Sequence, residues 1–80
     1  MTQAALLEQV KEVASDVLGV PAASLKGDSS PDTIEAWDSV QHLSLIMALE
    51  QRFGVTLDPA DVEKMRTLDQ AAAVVSKKLA

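Results

Sequence analysis

The sequence contains no cysteine, which excludes disulfide bonds and thiolate metal sites. It holds a single histidine, His42, so we expect no histidine-ligated metal site. The only aromatic side chains besides it are Trp37 and Phe53, and the core must come from the aliphatic residues that dominate its 48% hydrophobic content. A chain this short buries only about 60–65% of the surface its unfolded form exposes, so we expect residues 1–80 to form one domain around one efficient core.

Basic residues and long apolar runs are also scarce. The net charge of −5 disfavours nucleic acid as a partner, because phosphates would be repelled. Such a surface suits basic protein partners, although acidity that merely maintains solubility is the simpler explanation. No stretch approaches the roughly 20 apolar residues of a membrane span, and no charged leader with an apolar run opens the chain. We therefore expect a cytoplasmic protein without membrane association.

The first segment, residues 2–18, has the apolar periodicity of an amphipathic helix. Its apolar stripe consists of Leu6, Leu7, Val10, Val13, Ala14, Val17 and Leu18. Gly19 followed by Pro21 is a helix stop signal.

Residues 19–37 show no sustained periodicity and predict a long loop. We expect it to pack through Val20, Leu25 and Ile34, with a short turn at residues 22–25. Long loops are often functional, so the residues to which this one leads are of interest.

The loop ends at a helix start. Asp38 is a favoured N-cap, and Gln41 is placed to complete a capping box with it. Ser39 is then the first residue of the second helix, which is predicted to end with Phe53 before Gly54.

The remaining sequence predicts a short third helix and a longer fourth one. Asp58-Pro59 opens the third, which is predicted to end near Met65, and Thr67 with Gln70 predicts a capping box for the fourth. The fourth helix carries the apolar stripe Leu68, Ala71, Ala72, Val75 and Leu79. The predicted fold is all-α, a small four-helix bundle with a long loop between helices one and two.

The second helix has two apolar faces, although a small bundle needs one buried stripe per helix. The core face is predicted to hold Leu45, Ile46, Leu49 and Phe53. A second stripe of Val40, Leu43 and Met47 is centred about 140° away. Either this helix is central and contacts neighbours on both sides, or the second stripe docks a partner.

Ser39 has unusual chemistry for a serine at a helix start. Most such serines are caps, but Asp38 already has that role, which leaves the Ser39 hydroxyl free. Its position favours an attached anion by about 0.3–1 kcal/mol, through unpaired N–H groups and the helix dipole. A catalytic Ser39–His42 pair lacks both a glycine-rich nucleophile elbow and an evident orienting acid, so we do not expect an enzyme.

Three stretches of the sequence resemble the acyl carrier protein family. They are EAWDSV (residues 35–40), LIMALE (residues 45–50) and FGV (residues 53–55). In that family a serine at the start of helix two receives 4′-phosphopantetheine from coenzyme A, and the terminal thiol of this arm carries acyl groups as thioesters. The resemblance implies that Ser39 is the attachment site. It also implies that Asp38 helps the transferase to hold magnesium and coenzyme A.

The resemblance also implies a set of partners. Val40, Leu43, Met47 and Glu50 fall on the surface that partners of the family contact. The partners are a phosphopantetheinyl transferase, an acyl-loading ligase or acyltransferase, and a synthase or other acyl-processing enzymes, and the carrier is expected to be a monomer. The competing interpretation is an unmodified helical protein–protein interaction module.

The family fold offers a cleft between helices two and three into which an acyl chain can fold. Leu45, Ile46, Leu49 and Val62 are candidates to line it, with ordinary core as the alternative. His42 is expected to pack on Trp37, or else to pair in its protonated form with the phosphodiester of the arm.

The sequence departs from a typical fatty-acid carrier in the charge of helix two. Gln41, Ser44, Gln51 and Arg52 stand where that carrier is largely acidic, and Val40 replaces the usual leucine. These departures favour a dedicated polyketide, other secondary-metabolite or specialised fatty-acyl pathway. A peptidyl carrier is disfavoured, because the glycines that usually precede its modified serine are missing.

Overall fold

The computed structural model describes residues 2–79. Its helices are α1 (Gln3–Leu18), α2 (Ser39–Phe53), α3 (Pro59–Lys64) and α4 (Leu68–Leu79). α1 packs against both α2 and α4, and the short α3 lies against α4. No strand occurs among the described residues, so the predicted all-α four-helix bundle is confirmed. No helix in this part of the chain is long and apolar enough to cross a membrane.

Both α1 and α2 end where the sequence places a glycine. Gly19 (φ 69°) and Gly54 (φ 65°) adopt the left-handed conformation, which a residue without Cβ reaches at little cost. At the other end of α1, Thr2 Oγ1 accepts a hydrogen bond from the Ala5 N–H at 3.1 Å. The two predicted helix stops are therefore confirmed.

The start of α2 has only half of the predicted capping box. Asp38 Oδ1 accepts a hydrogen bond from the Gln41 N–H at 2.8 Å, so the predicted N-cap is confirmed. The Asp38 N–H, however, donates to the Ala36 carbonyl at 3.2 Å. The predicted return bond to the Gln41 side chain is wrong, because the turn that leads into α2 already uses this N–H.

The second predicted box is also half formed, and a complete one occurs elsewhere. Thr67 Oγ1 accepts from the Gln70 N–H at 3.1 Å, but Gln70 Oε1 accepts from the Arg66 N–H instead of returning to Thr67. The reciprocal box opens α3. There Asp58 Oδ1 accepts from the Asp61 N–H at 2.9 Å, and Asp61 Oδ2 accepts from the Asp58 N–H at 3.2 Å.

The core is aliphatic except for Trp37, the largest fully buried side chain among the described residues. Its buried hydrophobic residues are Leu6, Val10, Val13, Ala14, Leu18, Leu25, Trp37, Leu45, Ile46, Leu49, Leu57, Met65, Leu68, Ala71, Ala72 and Val75. Phe53 is only partly buried. Leu79 was predicted to lie in the stripe of α4 but is 47% exposed, because the buried cluster on this helix ends with Val75.

The long loop between α1 and α2 packs onto the core as predicted. Leu25 is buried, and Val20 and Ile34 are partly buried against the same cluster. The predicted short turn is a single 3₁₀ turn, Ala22–Ser24.

Hydrogen bonds also attach this loop to the start of α4. The Leu68 N–H donates to the Ser29 carbonyl at 3.2 Å, and the Asp69 N–H donates to the Gly27 carbonyl at 2.8 Å. Ser29 is itself buried, and its Oγ accepts from the Lys26 N–H at 2.8 Å. The loop carbonyls thus satisfy two N–H groups that the first turn of α4 would otherwise leave unpaired.

Candidate functional site

Ser39 lies at the first position of α2 with an exposed side chain. The cap is made by Asp38, so the Ser39 hydroxyl is not needed to hold the helix end. Within residues 2–79 this hydroxyl makes no hydrogen bond. It is therefore available to an approaching enzyme without loss of an intramolecular contact.

The backbone around Ser39 favours a negative charge. The N–H groups of Asp38 and Gln41 are paired with Ala36 and the Asp38 carboxylate, respectively. Those of Ser39 and Val40 have no acceptor in the described chain. Two unpaired donors at the positive end of a helix dipole stabilise an anion on this turn, typically by about 0.3–1 kcal/mol. A phosphodiester on Ser39 Oγ fits these surroundings.

His42 is held by a hydrogen bond from Trp37. The Trp37 indole Nε1–H donates to His42 Nδ1 at 3.0 Å, and the two rings are stacked with their centroids 6.0 Å apart. Trp37 is buried, so the bond satisfies a donor that has lost its contact with water. The predicted packing of His42 on Trp37 is confirmed, and the hydrogen bond between them is a feature that the sequence did not indicate.

The pair formed by Ser39 and His42 lacks the geometry of a catalytic dyad. No hydrogen bond joins their side chains in residues 2–79, and His42 Nδ1 accepts from an indole instead of donating to a carboxylate. The orienting acid of a catalytic triad is thus replaced by a hydrogen-bond donor.

A cleft of about 900 Å³ adjoins Ser39 and separates the start of α2 from α3. Leu43, Val62 and Met65 supply apolar lining, and His42 lies on its wall. Charged residues also face it, namely Asp32, Asp38, Glu63 and Arg66. The predicted cleft between helices two and three is present.

Three of the four residues predicted to line this cleft belong to the core. Leu45, Ile46 and Leu49 are at most 6% exposed and do not reach the cleft, whereas Val62 does. They face the bundle interior, which the core alternative had anticipated. Met65 and Arg66 also line the cleft and were not predicted, because they follow the end of α3 at Lys64 and no helical periodicity marks them.

The second apolar stripe of α2 is open to solvent. Val40, Leu43 and Met47 are 71%, 62% and 60% exposed. The interpretation in which α2 contacts neighbours on both sides is therefore wrong for these residues. We call this exposed stripe of Val40, Leu43 and Met47 the α2 ridge. It begins immediately beside Ser39, and Leu43 belongs to both the ridge and the cleft.

Glu50, which was predicted to contact partners, makes an intramolecular bond. Its Oε2 accepts from the Leu57 N–H at 2.9 Å, and its side chain is half-buried. Arg52 Nη2 lies 3.3 Å from Glu12 Oε2, so it pairs α2 with α1. A partner contact through Glu50 stays a prediction.

The acidic side of α3 is tied to the end of α4. Lys78 Nζ lies 2.9 Å from Asp61 Oδ2 and 4.0 Å from Asp58 Oδ2. The hydrogen bond from Lys78, followed by that from the Asp58 N–H, lowers the pKa of Asp61 below 3.8. The same bond to Asp61 raises the pKa of Lys78 above 10.5. Among residues 2–79, no three histidine or acidic side chains are grouped as ligands for a metal ion.

Comparison with known proteins identifies the family to which this chain belongs. Residues 8–75 match the family described as "Phosphopantetheine attachment site". The acyl carrier protein of Petrotoga mobilis is 39% identical over 80 residues, which cover 99% of this chain and 93% of that protein. This chain belongs to the acyl carrier protein family.

Other acyl carrier proteins agree in sequence and in fold. That of Thermosynechococcus vestitus is 36% identical over 86 residues, covering 100% of this chain and 99% of that protein. The solution structure of the holo acyl carrier protein from Geobacter metallireducens superimposes with a TM-score of 0.82 at 27% identity, covering 91% of this chain and 84% of that one.

Membership of the family establishes the general function of the chain. Acyl carrier proteins are carriers and not enzymes, and their prosthetic group is 4′-phosphopantetheine. The family works with phosphopantetheinyl transferases and acyl-processing enzymes. A 4′-phosphopantetheine group fits the site described above. Ser39 offers an exposed hydroxyl, its turn has unpaired N–H groups, and a cleft adjoins it.

Proposed function

We propose that residues 1–80 form a single cytoplasmic acyl carrier domain in which Ser39 Oγ is the attachment atom. The observation that carries this proposal is the separation of two roles at the start of α2. Asp38 makes the cap, and Ser39 stands exposed beside it with an unengaged hydroxyl.

Attachment requires one substitution at phosphorus. Ser39 Oγ forms a bond to the phosphorus of coenzyme A that carries the pantetheine, and the phosphoanhydride bond breaks. Adenosine 3′,5′-bisphosphate leaves with the bonding electrons, and a base of the transferase takes the hydroxyl proton. Asp38 supports the step by contributing a carboxylate to the magnesium and coenzyme A held by the transferase. Once attached, the arm supplies a terminal thiol that carries acyl groups as thioesters.

The test is intact mass after incubation with coenzyme A, magnesium and a promiscuous phosphopantetheinyl transferase. Wild type should gain the mass of one arm, and Ser39→Ala should gain nothing. Ser44→Ala is the matched control, because Ser44 is a second exposed serine on the same helix. Modification of Ser39→Ala, or no modification of wild type by several transferases, would refute the proposal and favour an unmodified interaction module.

We further propose that the α2 ridge docks the transferase, the acyl-loading ligase or acyltransferase, and the synthase. Its exposed aliphatic side chains support this role, since an apolar surface beside the attachment atom has no covering element within the described chain. A methionine in such a ridge suits a surface that must accept several partners.

The pathway we propose is a dedicated one, in polyketide, other secondary-metabolite or specialised fatty-acyl synthesis. The support is electrostatic. Gln41, Ser44 and Gln51 are uncharged. Glu50 is the one acidic residue of α2, and its carboxylate is bonded to the Leu57 N–H. A synthase that recognises carriers through basic side chains finds little to pair with on this helix.

This pathway proposal can be tested with a general fatty-acid malonyltransferase. Holo wild type should be a poor substrate, and the triple variant Gln41→Glu, Ser44→Glu, Gln51→Glu should be loaded several-fold faster at low salt. Gln3→Glu at the start of α1 is the control for added charge alone. Efficient loading of wild type, without improvement in the triple variant, would contradict the proposal.

A further inference from the structure

The hydrogen bond between Trp37 and His42 fixes which nitrogen of the imidazole carries the proton. A neutral imidazole has one N–H donor and one acceptor nitrogen. His42 Nδ1 accepts from the Trp37 indole at 3.0 Å and therefore carries no proton of its own. The single ring proton must lie on Nε2.

This proton faces a part of the molecule that offers it no protein acceptor. Nε2 is on the far side of the ring from the bond to Trp37, and His42 lines the cleft beside Ser39. No acceptor for Nε2–H is found among residues 2–79. His42 Nε2 is not shut away from solvent, so water can accept this proton in the apo protein. The side chain is thus a donor that Trp37 holds in place and that has no acceptor among the described residues.

Ser39 lies one helical turn before His42 and faces the same cleft. Side chains three residues apart on a helix are neighbours, with Cβ atoms about 5–6 Å apart. A phosphate on Ser39 Oγ places its non-bridging oxygens beyond that atom, within the space that the imidazole lines.

We infer that His42 is a positioning residue that donates its Nε2–H to the phosphodiester attached at Ser39. The inference rests on the proposed attachment site. An N–H bond to a phosphate oxygen is charge-assisted, and it holds the first atoms of the arm over the cleft. Trp37 acts one step further away, because its indole N–H occupies Nδ1 and leaves Nε2 as the nitrogen that donates.

The competing interpretation is that Arg66, and not His42, binds the phosphate, and it depends on the other charged groups of the cleft. Asp32, Asp38 and Glu63 repel a phosphate, and Asp38 Oδ1 is already bonded to the Gln41 N–H. Arg66 is the cation of the cleft and attracts one. Its Nε–H donates to the Glu63 carbonyl at 3.4 Å, so it lies on the α3 side of the cleft. Arg66→Gln therefore serves as the matched control.

The experiment is NMR of the apo and holo proteins at neutral pH. Long-range ¹H–¹⁵N spectra of the imidazole should show the proton on Nε2 in both forms, and Trp37→Phe should populate the other tautomer.

In the holo form, a correlation through the hydrogen bond should join this proton to the ³¹P nucleus. His42→Ala should lose the correlation and shift the ³¹P signal. His42→Gln, which keeps an N–H donor, should restore most of the shift, and Arg66→Gln should leave it in place.

Each contrary outcome identifies what fails. A proton on Nδ1, or a doubly protonated ring in the holo form, would overturn the tautomer argument. A ³¹P signal that is the same in wild type and folded His42→Ala, or that moves only in Arg66→Gln, would overturn the contact. If Ser39 gains no arm by mass, the proposed function fails instead, and the apo tautomer is still measured.

Discussion

The carboxylate of Glu50 accepts a hydrogen bond from the Leu57 N–H at 2.9 Å and so joins the last turn of α2 to the segment that leads to α3. Leu57 is buried, which places this N–H where water cannot replace the carboxylate freely. The position of α3, which forms one wall of the cleft, therefore depends on a side chain of α2.

We predict that Glu50→Ala lowers the free energy of unfolding by about 1–3 kcal/mol, because it leaves the Leu57 N–H unpaired. Glu50→Gln keeps an oxygen acceptor and should cost less. Glu63→Gln, an exposed acid on α3, is the control and should change stability by less than about 0.5 kcal/mol. Urea denaturation measures all three, and equal stabilities of Glu50→Ala and wild type would show that this bond contributes nothing.

Met47→Gln should separate docking from folding. At 60% exposure Met47 contributes little to the core, so stability should change by less than about 1 kcal/mol while the rate of arm transfer falls. Leu49→Ala, two residues further along α2 but fully buried, should cost about 2–5 kcal/mol. Thermal denaturation and a transferase assay measure the two effects. A large loss of stability in Met47→Gln would place the α2 ridge in the core.

The attachment of the long loop to α4 predicts a specific steric conflict. A Cβ added at Gly27 would overlap the carboxylate of Asp69, whose N–H donates to the Gly27 carbonyl. Asp69 is exposed and its carboxylate can rotate away, so Gly27→Ala should destabilise the fold by less than about 1 kcal/mol. Asp69→Ala removes the obstructing carboxylate and keeps the backbone bond. In a double-mutant cycle, Gly27→Ala should cost less in the Asp69→Ala background, and an unchanged cost would rule out the overlap.

The ion pair between Asp61 and Lys78 predicts a pH window. Because the pKa of Asp61 is lowered, its contribution to stability is present above about pH 3.8 and is lost as the pH falls through its folded-state value. Because the pKa of Lys78 is raised, its contribution is present below about pH 10.5 and is lost as the pH rises through its folded-state value. The coupling in a cycle of Asp61→Asn and Lys78→Gln should be favourable at pH 7 and vanish well below pH 3.8. A coupling that persists in acid would exclude the ion pair as its source.

Local signals in the sequence predicted the helices and the place of Ser39, whereas its role as the attachment atom came from the resemblance to acyl carrier proteins. Gly19, Gly54 and the Asp58-Pro59 pair act within one helical turn, so they could be identified without tertiary information. The place of Ser39 at the start of α2 was predicted from Asp38 and Gln41, and the Asp38 cap is the part of that signal that the structure contains.

What could not be predicted depends on contacts between distant residues or on the choice among rotamers. The bonds from Leu68 and Asp69 to the long loop join residues far apart in sequence and leave no periodic pattern. Gln41 and Gln70 suit a capping box by type, but other backbone partners take the bonds that would complete it. The cleft lining also differs, because Leu45 and its neighbours on α2 are aimed at the bundle interior.

The attachment of the loop to α4 also affects when the site can form during synthesis. The segment that delivers Ser39 to α2 is held in place by the backbone of Leu68 and Asp69, which leave the ribosome long after Ser39 does. We therefore expect a nascent chain that stops before α4 to be a poor acceptor of the arm. Stalled chains of increasing length, incubated with transferase and coenzyme A, should acquire the arm only once α4 is free to fold. If chains that stop before α4 are modified, the transferase recognises α2 without the rest of the fold. If they are not, only chains that include α4 receive the arm.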